Sequence, residues 1–122
     1  MSTRLTNYPD VTYEQAKVLN KARKTYGNKA QIAVVAEECC ELEKELLKYL
    51  RYDSHDRAVD NLRKGVLDEV ADVLICLNHV ADIFDIRMSE LEAIMKSKIN
   101  RLEGWLDKSD SPELTTIERE LK

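Results

Sequence analysis

Apolar residues recur along this chain at intervals of three and four, the spacing of one face of an α-helix. Four such stretches follow one another. Thr12-Tyr13-Glu14-Gln15 reads as a capping box, with Thr12 as N-cap and Gln15 reaching back to it. A first helix is therefore predicted from about Tyr13 to Tyr26, stopped by Gly27-Asn28. A second is predicted from near Asn28 to about Arg51, with Ile32, Val35, Cys39, Leu42 and Leu46 as its seam. The run Tyr-Asp-Ser-His-Asp ending at Asp56 is turn chemistry. A third helix resumes between Arg57 and Asn61 and reaches about Phe84, its seam being Val66, Val70, Val73, Leu77, Val80 and Phe84. Ser89-Glu90-Leu91-Glu92 reads as a second capping box. It opens a helix to about Leu106, with Leu91, Met95, Leu102 and Trp105 on one stripe. The pattern predicts an all-α fold: one helical domain over residues 1–122, with a core of about 12–106 and a tail at 107–122 that forms a short helix or frays.

Composition narrows the class. A chain of 122 residues has room for one modest core, so burial against a second copy is expected. With 34% charged and 43% hydrophobic residues, and only 3 Gly and 2 Pro, the balance is globular and helical. The net charge of −4 argues against a nucleic-acid duplex as partner, because that needs clustered Lys and Arg. No apolar run is long enough to span a membrane, and the first residues carry no signal-peptide pattern. Cys39, Cys40 and Cys76 lie in apolar helical runs without CxxC spacing, which suggests thiols of a reducing, cytoplasmic compartment.

The candidate chemistry lies in two acidic brackets, Glu37-Glu38-Cys39-Cys40-Glu41 and Glu69-Val70-Ala71-Asp72. Each sets two carboxylates three residues apart, on one helical face. On both predicted helices the acidic stripe lies one residue, about 100°, from the apolar seam. Antiparallel packing of the two seams, as a short connection favours, brings both stripes to the same side at one height. Four carboxylates then face one groove. That set of hard oxygen donors suits Mg²⁺, or Mn²⁺ as a substitute, which offsets their mutual repulsion. The plainer reading is a solvated acidic face with nearby lysines, such as Lys44 and Lys48.

Together the brackets match E-E-x-x-E, a spacer (here residues 42–68), then E-x-x-D. In this the chain resembles the MazG-like members of the all-α nucleoside triphosphate pyrophosphatase superfamily, over roughly residues 13–105. The resemblance implies Mg²⁺-dependent cleavage of (d)NTP to (d)NMP and pyrophosphate, in the service of the nucleotide pool. It implies Glu38, Glu41, Glu69 and Asp72 as metal ligands, and Glu37 in an outer-shell or general-base role. It also implies that Lys98 and Arg101 contact phosphates. Lys98 occupies a seam position of the fourth helix, where it either snorkels to solvent or meets an anion. His79 stands where many relatives carry an asparagine at the nucleotide, and Gln31 lies two turns before Glu38, so both are candidates for base or sugar contact. Gly65, one turn before Glu69, suggests close ligand approach, a kink or a helix-start irregularity.

No P-loop and no nucleophile–histidine arrangement is present. Exposed apolar positions such as Leu19, Tyr26, Leu47, Tyr49 and Leu50 predict a homodimer or homotetramer. Two alternatives stand beside this reading. One is a phosphoribosyl-ATP pyrophosphatase-like hydrolase; the other is a non-catalytic helical interaction or regulatory module.

Overall fold

The computed structural model describes residues 11–51 and 58–108, the side chains of 58–60 excepted. It holds four α-helices: α1 (Tyr13–Tyr26), α2 (Asn28–Arg51), α3 (Ala58–Ile83) and α4 (Met88–Lys108). No strand occurs among the described residues. The 52–56 turn and residues 109–122 of the predicted tail lie outside them, while 107 and 108 continue α4.

Local chemistry accounts for the boundaries. At the start of α1 the Gln15 N–H donates to Thr12 Oγ1 at 3.1 Å, and the Thr12 N–H donates to Gln15 Oε1 at 2.9 Å. This is the expected capping box, which satisfies two backbone donors that a helix start leaves open. A single residue, Gly27, joins α1 to α2. Its N–H donates to the Arg23 carbonyl at 2.8 Å, and its own carbonyl accepts from Gln31 N–H at 3.2 Å. Its φ of 92° and ψ of 157° fall in a region open essentially to glycine alone. At the far end of α3, Asp85 takes φ 50°, a left-handed conformation that aspartate tolerates better than most residues.

The second capping box falls two residues earlier than expected. Ser89 is inside α4, and the Arg87 N–H donates to Glu90 Oε2 at 3.0 Å. The acid at the third helical position does the capping, and the hydroxyl is not needed.

The chain divides into two compact units after Asp85. The first contains α1, α2 and α3. Here α2 and α3 pack closely along their length, and α1 lies against both. Its buried apolar residues are Ala16, Val35, Leu62, Cys76 and Ala81. The second unit contains α4, in which no residue is buried.

The inner face differs from the seam read off the sequence. Cys39, Leu46, Val70, Leu77 and Phe84 are exposed, Phe84 to 64%. Of the expected seam, Val35 is buried and Ile32, Leu42, Val66, Val73 and Val80 are half-buried; beside them Gln31, Leu62, Cys76 and His79 are buried, and Glu38, Glu45, Gly65, Glu69 and Asp72 are half-buried. The close face of the α2–α3 pair is thus turned toward the acidic stripe. The reason is that α3 is apolar on more than one side: Leu67, Val70, Leu74 and Leu77 form a second stripe at helical spacing, and they point outward. No described helix is long and apolar enough to cross a membrane.

Gly27 supplies a direct test of the α1–α2 joint. No atom lies within 4 Å of a Cβ built there, so Gly27→Ala introduces backbone strain without a clash. The expected loss is about 1–3 kcal/mol of unfolding free energy, read from urea titration followed by circular dichroism. An unchanged midpoint would show that the joint adopts another conformation.

Candidate functional site

The acidic residues converge on the α2–α3 face. Glu38, Glu69 and Asp72 each offer a carboxylate oxygen, and the three oxygens lie within 4.8 Å of one another. All three side chains are half-buried. Cross-helix neighbours follow a regular register. Glu45 meets Gly65, Glu41 acts on Glu69, and Glu38 acts on Cys76 and is hydrogen-bonded to Asp72.

Crowding marks the electrostatics. The Glu38 carboxyl is held above its ordinary value near 4.5, first by loss of solvent and then by the charges of Asp72 and Glu69. Glu69 is raised as well, again by desolvation first, then by Asp72, Asp68, Glu41 and Glu45. The same field and burial push the Cys76 thiol up to about 11, so this cysteine is an inert buried thiol. Glu69 Oε2 is fully buried and has no hydrogen-bond partner among the described residues. An orphaned carboxylate oxygen beside two more carboxylates fits a hard divalent cation, which would supply the missing partner.

The remaining expected residues fall in different places. Glu41 is half-buried next to Glu69, but its Oε1 is 3.2 Å from Lys44 Nζ and it is not one of the three converging groups. Glu37 is exposed and touches the cluster through its effect on Glu38. Gln31 is buried on α2, seven residues before Glu38. His79 is buried on α3, seven residues after Asp72. Lys98 is half-buried and Arg101 exposed, both on α4 in the second unit.

Two residues given no role from the sequence stand out, Glu45 on this face and Arg23 in a separate cluster between α1 and α3. Glu45 carries its Oε1 2.7 Å from Lys48 Nζ, and a Cβ added at Gly65 would lie 2.6 Å from Glu45 Oε2. Gly65 is well inside α3, so it is not a helix-start irregularity. It is the space in which a glutamate of α2 reaches the backbone of α3. The second residue is Arg23 on α1, 4% exposed, with Nη1 3.2 Å from Asn78 Oδ1 and 2.8 Å from His79 Nδ1, and Nε 3.1 Å from Asp82 Oδ2. Its signal in the sequence was a cation seven residues after the buried Ala16, on the same helical stripe.

Comparison with protein-family models, with curated proteins and with solved structures gives no match.

The raised carboxyls set the sign of a pH test. A carboxyl whose folded pKa exceeds its unfolded value stabilises the fold below the unfolded value, and that stabilisation is lost as pH rises through the folded one. In EDTA, wild-type protein should therefore lose ground to Glu69→Gln as pH climbs above about 4.5. The measurement is the difference in Tm between the two proteins at successive pH values. His79 is shifted down and contributes with the opposite sign, but it is common to both proteins and cancels in that difference. A difference that stays flat with pH would show that Glu69 is not crowded by its neighbours.

Proposed function

We propose that this protein is a divalent-cation-dependent nucleoside triphosphate pyrophosphohydrolase of the MazG-like kind. The observation that carries the reading is the convergence of Glu38, Glu69 and Asp72, from two sequence brackets, together with a buried oxygen of Glu69 that has no hydrogen-bond partner among the described residues. The falling register across α2 and α3 supports an antiparallel pair, which is the arrangement that sets both brackets at one height.

Glu38, Glu69 and Asp72 would hold the cation, with Glu41 next to Glu69 as a fourth acid once it leaves Lys44. When bound, Mg²⁺ supplies charge neutralisation at the phosphates and makes a nearby water more acidic. The chain's own residues then have separate tasks. Glu37, exposed beside Glu38, would take a proton from the attacking water. Attack at the α-phosphorus breaks the bond to the bridging oxygen, and pyrophosphate leaves with that oxygen. Half-burial of the acids limits competing solvent and strengthens their hold on a cation.

Incubation with Mg²⁺ and each (d)NTP should release pyrophosphate, and EDTA should stop it. Glu38→Gln and Glu69→Gln should lower the rate by at least about a hundredfold, since each removes a ligand, while leaving helical circular dichroism unchanged. Undiminished release from either variant, or no release from any triphosphate, would overturn the assignment.

The oligomer belongs to the same reading. Leu46, Leu47 and Leu50 on α2, and Leu67, Leu74 and Ile75 on α3, are all at least 40% exposed, and a lone chain gains little by presenting them to water. A homodimer or homotetramer covers them. Sedimentation equilibrium should give at least twice the chain mass of 14.1 kDa. A monomer at micromolar concentration would refute this part alone.

A further inference from the structure

Apolar burial does little to hold α1 in place. Of its residues only Ala16 and Arg23 are buried. Its apolar side chains do not close on α3: an open groove of about 400 Å³, lined by Val18 and Leu19 of α1 and by Leu74 and Ile75 of α3, lies between the two helices. Ala16 alone is too small to anchor a helix of 14 residues. The attachment therefore leans on Arg23. Its Nη1 donates to Asn78 Oδ1 at 3.2 Å and lies 2.8 Å from His79 Nδ1, and its Nε faces Asp82 Oδ2 at 3.1 Å. All three partners are on α3.

One of these contacts depends on a proton. Arginine only donates, so His79 Nδ1 must accept, which requires a neutral ring with its proton on Nε2. A proton on Nδ1 would set donor against donor and cation against cation in a buried place. Among the described residues the charges that act on His79 are Arg23 from α1 and Asp82 from α3; none comes from α2. Asp82 favours the charged ring, but it already faces the guanidinium, and one carboxylate does not balance two cations. Burial first, and Arg23 second, accordingly hold His79 below its ordinary value near 6.5. The joint at the end of α1 permits movement. Gly27 alone separates α1 from α2, open space surrounds the place of its missing side chain, and glycine changes φ and ψ freely.

We propose that His79 is a proton-operated catch for α1: a neutral ring holds the helix on α3, and a charged ring releases it to move about Gly27. The inference needs neither a cation nor a nucleotide, and so stands apart from the hydrolase reading. Its sign follows from linkage. In the released state the ring meets water and regains its ordinary pKa, so below about 6.5 the released state binds more protons than the docked one. Docking of α1 is therefore strongest above that value and weakens as pH falls below it, down to the lowered pKa of the docked state. The acidic cluster between α2 and α3 works in the opposite sense, since raised carboxyls favour the fold as pH falls. Release of α1 is thus distinct from acid unfolding of the pair.

Hydrogen exchange of the protein in EDTA, read by mass spectrometry on peptides from each helix and corrected for the intrinsic pH dependence of exchange, measures release directly. A helix of 14 residues off its support is marginal in water, so a freed α1 exchanges. Its opening should rise at least about tenfold from about pH 7.5 to about pH 5, while α2 and α3 keep their protection. His79→Asn keeps an acceptor oxygen near the place of Nδ1 and takes no charge, so it should leave α1 protection flat over that range. The wild-type profile needs no variant to fold. Protection of α1 that does not fall with pH, or that falls together with that of α2 and α3, overturns the proposal. So does a folded His79→Asn protein that still loses α1 protection in acid.

Discussion

Like charges forced together between two packed helices are the constraint on which this molecule turns. Glu38, Glu69 and Asp72 are held close by the packing of α2 on α3, with one hydrogen bond between Glu38 and Asp72 inside the group. Loss of solvent first, and then the neighbouring carboxylates, hold Glu38 and Glu69 above their ordinary value. A protein has few physical reasons to keep such an arrangement. Protons can relieve it at low pH, and a divalent cation can relieve it at neutral pH. Packing must therefore exceed repulsion when neither is present, and Val35, Leu62 and Cys76 on the same close face supply that packing.

A second polar cluster obeys different electrostatics. Around Arg23 the charges nearly balance, and the neighbours Asn78 and His79 are neutral acceptors. This network links α1 to α3 through side chains, where the acidic cluster links α2 to α3. The two lie along one helix, separated by the turns between Asp72 and His79, with Cys76 buried between them. The acidic end suits a cation and what a cation carries.

Much of this was legible in the chain, and the parts that were not have identifiable causes. Thr12 and Gln15 announced the start of α1, and Gly27 its end, because caps are short-range chemistry. The acidic brackets could be read because i,i+3 spacing fixes a shared face whatever the tertiary context. The inner face of the pair was harder. Val70, Leu77 and Phe84 looked like core by spacing, yet α3 has two apolar stripes, and periodicity does not say which of them a chain buries within itself. Once the other stripe turned inward, the acids moved from beside the contact to within it. Arg23 was missed for a related reason. A single cation on an amphipathic helix ordinarily reads as surface, and its burial depends on Asn78, His79 and Asp82, more than fifty residues away.

The two-sided character of α3 also bears on how the acidic cluster is kept in place. A helix pair with carboxylates between its members has a reason to separate. Hydrophobic burial on the outer side of α3, where Leu67, Leu74 and Ile75 are exposed, would not touch the acids directly. It would hold α3 against whatever covers it and so remove one way of relieving the strain. Leu46, Leu47 and Leu50 give the second half of α2 the same opportunity. In the proposed homo-oligomer, each acidic pair becomes the inner layer of a larger bundle, with apolar contacts behind both of its helices. Rigidity from outside then substitutes for attraction inside.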